Sequence, residues 1–211
     1  GKTLSADVVR IGGGTGVVER NGRTTERPRW EGGAIMGAQF NGAPASIYDP
    51  YFDGDGSDPT SRSRWAEWEH PAGEDAVYVS WHSNATASGS ARGTVTYYAG
   101  NACSSGPAVS GSEELSELLQ EEMVTAFREN WEADWRDRGV STACFSEVAA
   151  YNNDEMPATL VELAFHDNEI DASYLKHPAF RRDAARAMYR GVVRYFAERD
   201  GLTPRYVPEP P

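Results

Sequence analysis

The sequence predicts an α/β fold, an open and mainly parallel sheet flanked by helices. Three observations carry that prediction. Compact runs of β-forming residues stand at 76–81, 94–98 and 159–165. Two long segments, 112–138 and Pro178 to about Arg199, repeat apolar residues at helical spacing. The two kinds of segment alternate along the chain, as layered α/β proteins require. The 211 residues suffice for one domain with its own core, and 39% hydrophobic with 25% charged residues is a globular composition. A net charge of -12 excludes attraction to nucleic acid or anionic membrane through bulk charge. No apolar run approaches the ~18 residues that a membrane span needs.

Taken in order, residues 1–75 are rich in Gly, Pro, Asp and Ser and give the weakest signals. Val8-Val9-Arg10-Ile11 and Ala45-Ser46-Ile47-Tyr48 read as short strands, with a helix between them from near Trp30 to Asn41-Gly42. Arg64 to Glu69 reads as a short helix. Ala76 to Trp81 is a buried strand, and Thr94 to Tyr98 is the next. In the helix 112–138, Leu115, Leu119, Met123, Phe127, Trp131 and Trp135 form one apolar face, which reads as core, and Gly139 is its stop. Its Glu113, Glu114, Glu117, Glu121 and Glu122 read as a solvated face. Ala143–Val148 and Thr159–Phe165 read as two more strands. The last helix starts at Pro178 and ends before Gly201, and the Pro-rich stretch 204–211 reads as a linker.

Ligands of α/β sheets gather at the carboxyl ends of strands. His82-Ser83-Asn84 follows the strand 76–81, and an imidazole there can serve a crevice as a zinc ligand or simply fill a structural place. Glu162 lies inside the apolar strand 159–165. A carboxylate in that setting carries a desolvation cost. It either faces a wet side of the sheet or acts as a general base with a raised pKa. His166, Asp167 and Asn168 follow at that strand's end.

These segments carry a resemblance. Asp75-Ala76-Val77-Tyr78-Val79-Ser80-Trp81-His82-Ser83-Asn84-Ala85, Gly93-Thr94 with Tyr97-Tyr98, and Met156-Pro157-Ala158-Thr159-Leu160-Val161-Glu162-Leu163-Ala164-Phe165 resemble ordered motifs of the zinc-dependent N-acetylmuramoyl-L-alanine amidases (amidase type 3). Arg64 with Ala66, Asn168, and Leu175 with Pro178-Ala179-Phe180-Arg181 fit the same pattern, so the resemblance covers about residues 62–200. It implies a phosphorylase/hydrolase-like fold and hydrolysis of the amide between N-acetylmuramic acid and L-alanine of peptidoglycan. It also implies a Zn2+ cofactor, with His82 as a zinc ligand and Glu162 as the catalytic carboxylate. Zinc lowers the pKa of its water to about 7 and polarises the carbonyl. Glu162 would take the water's proton and pass it to the leaving amine. Asn84, His166 and Asn168 would contact substrate or support the ligands; His166 replaces a usually apolar residue.

The chain also departs from the family pattern. The family has a His in a Gly-His-Gly loop after its first strand and a Glu on the next helix. Val8 to Gly14 resembles that strand, but no His follows it. Glu31 at a helix start is a candidate second ligand, and an exposed helix start is the plainer reading of it. A better-fitting explanation is a resemblance to long members of the family whose amidase domain is split by a golvesin-like β-sandwich. Residues 1–12 would then be the last strand of the insert, residues 13–203 the amidase-like domain, and 204–211 the linker. The remaining zinc ligands, with the first strand–helix–strand unit, would come from an upstream segment or chain. The rival expectation is a non-catalytic domain of the same fold that binds peptidoglycan or a partner protein. A zinc peptidase or amidase with another substrate is a third.

Other signals are weaker. Gly12-Gly13-Gly14-Thr15-Gly16 lacks the helix and acidic residue of a dinucleotide site. Asp53 to Asp58 is oxygen-rich, but Arg64 stands where a calcium loop needs Glu. His70 and His177, each before a Pro, read as local or surface residues. Cys103 and Cys144 allow one disulfide in an oxidising compartment or are two unrelated small residues. The family points to a bacterial protein that is secreted or sits at the cell envelope.

Overall fold

In the computed structural model, residues 17–20, 23–28, 33–51, 57–71 and 73–208 are described. The segments read as Val8–Ile11, the Gly12–Gly16 run, Glu31 and most of the 53–58 loop lie outside them. The chain divides into two compact units, residues 1–74 and 75–211.

The first unit pairs β1 (Val17–Arg20) with β2 (Arg23–Pro28) antiparallel. It continues with α1 (Ala34–Phe40), α2 (Ala45–Tyr48) and α3 (Asp58–Glu69). Asp58, 2% exposed, ties α3 to the start of α1. Its carboxylate accepts from the backbone N–H of Ala34 (2.5 Å) and of Ile35 (3.4 Å), and from Arg62 (2.7 Å). That carboxylate at a helix N-terminus satisfies donors that have no partner within the helix. Residues 45–48 are helical where a strand was expected. Pro44 caps the turn, and an apolar run this short carries no reliable period.

The second unit holds a four-stranded open sheet in the order β3 (Tyr78–Asn84), β6 (Ala158–Phe165), β4 (Thr94–Tyr98), β5 (Asp137–Thr142). The β3–β6 and β4–β5 pairs are parallel, and β4–β6 is antiparallel. The helices are α4 (Ser112–Asn130), α5 (Glu169–Lys176) and α6 (Pro178–Arg199). One sheet face packs on α4 and α6 through Leu115, Leu119, Phe127, Val161, Leu163 and Phe180. The other packs on loops through Ala99, Cys103, Val148, Ala149, Ala158 and Leu160.

Three boundaries differ from the sequence reading. α4 ends at Asn130, so that Trp135 leaves the helix and donates its indole N–H to Thr94 Oγ1 at 2.9 Å. Gly139 lies inside β5 at φ 73° rather than ending a helix. The strand is 137–142, not 143–148, because an edge strand paired on one side can be polar along its length. α5 was not anticipated. The stretch 202–208 has no regular structure, yet it lies along α6. There Tyr206 meets Tyr189 edge-on, and Val207 N–H donates to the Tyr189 hydroxyl at 2.9 Å. Among the described residues no helix is long and apolar enough to cross a membrane.

Candidate active site

β3 and β6 run side by side in the same direction, so their carboxyl ends open on one edge of the sheet. His82 and Glu162 are register partners there. Side chains alternate along a strand. Val77 and Val79 pack with the helices, whereas Tyr78 packs with the loop-covered cluster, so Ser80 and His82 take the loop-covered face. Ala158 and Leu160 put Glu162 on that face too.

The loop covering this face is held in four ways. Cys144 is bonded to Cys103. Val148 and Ala149 are buried. Asn152 Nδ2 donates to Ser146 O at 2.8 Å. Asn153 closes a turn on the backbone of Met156 at 3.0 and 3.1 Å. These restraints deliver Glu147, 6% exposed, against the strand ends. Its Oε1 lies 3.5 Å from His82 Nε2, which also meets Ser80 Oγ at 2.8 Å. Sequence reasoning missed Glu147. It is one of 32 acidic residues, and it sits in a segment that reads as strand from its apolar Val148-Ala149-Ala150 run.

Burial above all, and then the neighbouring Glu147, push the Glu162 carboxyl up to about 7. Glu162 Oε2 is buried with no hydrogen-bond partner among the described residues. A carboxyl of that pKa takes up and gives back a proton near neutrality.

The other residues named from the sequence lie around this centre. Asn84 Oδ1 accepts from the N–H of Ala85 at 2.8 Å, and its backbone carbonyl accepts from His166 N–H at 2.9 Å. The exposed His166 meets Ser83 Oγ through Nδ1 at 3.0 Å. Together with Trp81, Ala172, Leu175 and Lys176, residues His82, Ser83 and His166 line an open cleft of about 450 Å³. Asn168 is the N-cap of α5. Its Oδ1 accepts from Ile170 and Asp171 N–H, and its Nδ2 donates to Gly89 O at 2.8 Å. Both ends of that amide are committed to the fold.

Among the described residues, no three His, Cys, Asp or Glu side chains form a group that could hold a metal ion. In chemistry the donors fit zinc. An imidazole and carboxylates are its ordinary ligands, and Glu162 Oε2 is buried there with no hydrogen-bond partner among the described residues.

Comparison with known proteins bears on the family and the fold. A family profile described as N-acetylmuramoyl-L-alanine amidase matches residues 54–194. An uncharacterized cell wall amidase of Bacillus anthracis is 36% identical over 121 residues, which is 57% of this chain and 21% of that protein. The N-acetylmuramoyl-L-alanine amidase LytC of Bacillus subtilis is 36% identical over 120 residues, again 57% and 21%. The chain therefore spans about a fifth of the length of these curated relatives. In the solved structure of the CwlD amidase of Clostridioides difficile in complex with the GerS lipoprotein, the fold matches with a TM-score of 0.51 at 20% identity. That match covers 68% of this chain and 64% of that one.

Proposed function

Because the chain belongs to the N-acetylmuramoyl-L-alanine amidase family, we propose that it serves a cell-wall hydrolase that cleaves the amide between N-acetylmuramic acid and L-alanine of peptidoglycan. The observation that supports this most directly is the pairing of His82 with Glu162 at the carboxyl ends of two parallel strands. Zinc, when bound, would polarise the amide carbonyl and make water acidic enough to ionise near neutral pH. His82 would be one of its ligands.

Glu162 supplies the proton transfer. At about 7 its carboxyl accepts a proton from the attacking water and returns it to the amine as the C–N bond breaks. Water oxygen ends on the carbonyl carbon, and L-alanine leaves with a free amino group. The cleft beside His82 offers the substrate an indole face at Trp81 and polar groups at Ser83, His166 and Lys176. Asn84 shapes the chain where β3 meets His166.

A cell-wall site of action is part of the same proposal. The Cys103–Cys144 disulfide supports it, since such bonds persist in oxidising compartments outside the cytosol. The test is incubation of the full chain with purified peptidoglycan and Zn2+, reading new L-alanine amino termini. Release from the wild type that falls about 10²–10⁴-fold in Glu162→Gln is expected. Binding to peptidoglycan without any release would leave a non-catalytic wall-binding domain instead.

A further inference from the structure

We propose that the cleft beside His82 takes the peptide stem of the substrate, with Lys176 and His166 holding the free carboxylate of the residue after L-alanine. The inference rests on the cell-wall amidase reading above and names the part of the substrate that this cleft selects.

The cleft lies between the end of β3 and one face of α5. Ala172, Leu175 and Lys176 stand three and four positions apart on that helix, so one helical face presents all three to the cleft. Leu175 also packs against the core, and Asp171 seats the helix by accepting from the backbone N–H of Phe165 (3.1 Å) and Gly93 (2.9 Å). Lys176 is the last residue of α5, so a seated helix and not a loop carries it to the cleft. His166 is held at two points. Its backbone N–H donates to Asn84 O at 2.9 Å, and its Nδ1 meets Ser83 Oγ at 3.0 Å. A hydroxyl that donates to Nδ1 leaves the ring proton on Nε2. That nitrogen has no hydrogen-bond partner among the described residues.

The charge of the cleft is opposite to that of the chain. Acidic residues outnumber basic ones 32 to 20, yet no Asp or Glu is among the described residues that line the cleft. Lys176 is the charged side chain there, and its ammonium makes no ion pair or hydrogen bond among the described residues. An ammonium beside an imidazole N–H, with no carboxylate at hand, complements an anionic group of a ligand.

The amide to be cleaved joins two unlike halves. The lactyl carboxyl of the muramic acid is consumed in that amide, so the sugar half is uncharged. The peptide half carries carboxylates, and the residue after L-alanine bears one that is either free or amidated. It lies one residue, about 3.5 Å of extended chain, beyond L-alanine. His82, the register partner of Glu162, lines the same cleft, so the reacting centre and the cationic wall share one space. The volume of about 450 Å³ has room for the start of a stem. Trp81, 44% exposed, offers an apolar wall to the alanine methyl and to the aliphatic part of the next residue. A stem with the free acid gains a charged partner at Lys176, and one with the amide does not.

The experiment measures binding to the full chain by calorimetry in EDTA, where no turnover occurs. Three ligands are compared. One is N-acetylmuramoyl-L-alanyl-D-glutamic acid with its γ-carboxyl capped as the methylamide, which keeps only the carboxylate in question. The second is the same compound with that carboxylate amidated. The third is amidated there but free at the γ-carboxyl. The first should bind wild type about 5–20-fold tighter than either other ligand, as a partly exposed charged hydrogen bond allows. Lys176→Met should bring that preference to within about 2-fold, Lys176→Arg should keep most of it, and His166→Leu should lower it, with circular dichroism to establish folding. Equal binding of the three by wild type overturns the inference and leaves a cleft that reads the sugar or the apolar part of the stem. Preference for the γ-carboxyl, or a preference that survives in folded Lys176→Met, overturns it as well. Release of L-alanine amino termini from peptidoglycan by the zinc-loaded chain, without the binding preference, overturns the inference and leaves the amidase reading standing. Neither binding nor release overturns both.

Discussion

His82 and Glu162 are register partners on neighbouring parallel strands, and both side chains take the loop-covered face of the sheet. Their separation is therefore set by a backbone hydrogen-bond ladder and not by a loop. Groups placed on strands keep their distance better than groups placed on loops. A change at one of them should act on chemistry without disturbing the frame.

Glu162→Gln tests that separation of roles. The amide nearly matches the carboxyl in shape and cannot exchange a proton. Folding and zinc uptake should be unchanged, while kcat/KM on peptidoglycan falls about 10²–10⁴-fold. Zinc analysis and amino-terminus release on the same preparation check it. Retained activity would remove Glu162 from the reaction.

The Glu162 carboxyl also makes stability depend on pH in the metal-free chain. Its pKa rises from 4.5 to about 7 on folding, so the folded state favours the protonated form. For a group raised on folding, the stabilisation is fully present below the unfolded value, near 4.5, and is lost as pH rises through about 7. A shift of this size corresponds to about 3 kcal/mol at most. Urea unfolding in EDTA should show stability falling between pH 5 and pH 8. Glu162→Gln should flatten that part of the profile.

Much of this was legible in the residues. The strand at 158–165 and the helix at 178–199 declared themselves because their apolar patterns are long. His82 and Glu162 stood out because each interrupts or ends such a strand. Glu147 was hidden, because its burial depends on a disulfide between positions 41 apart and on two asparagine-built turns. No local period encodes those contacts. β5 was misplaced for a related reason. Its residues 137–142 are polar, and only pairing with β4 reveals them as strand.

The disulfide should matter to the site as well as to the fold. Cys103–Cys144 closes a loop of 41 residues, and a cross-link of that span contributes about 2–4 kcal/mol. Cys103→Ser/Cys144→Ser should lower the urea midpoint accordingly. Because Cys144 anchors the segment that sets Glu147 beside the proposed ligand His82, zinc affinity should fall in the same variant at temperatures where it remains folded. Unchanged affinity would mean that the buried Asn152 and Asn153 turns hold Glu147 by themselves.

Asn168 separates scaffold from chemistry on the other side of β6. It stands six residues after Glu162, close enough to the reacting centre in sequence to invite a substrate role. Its amide, however, is spent on the helix α5, where Oδ1 accepts from two backbone N–H groups while Nδ2 holds Gly89 O. The helix that it caps places Asp171, which is fully buried. Asp171 accepts from the backbone N–H of Phe165 at 3.1 Å and of Gly93 at 2.9 Å. Removing the cap therefore loosens the end of β6 through Asp171. Asn168→Ala should cost about 1–2 kcal/mol of stability. Asn168→Asp, which keeps the accepting oxygen at the helix N-terminus, should recover most of it. At a temperature where all three proteins are folded, KM for peptidoglycan fragments should be the same. A raised KM in both variants with stability intact would instead place Asn168 against the substrate.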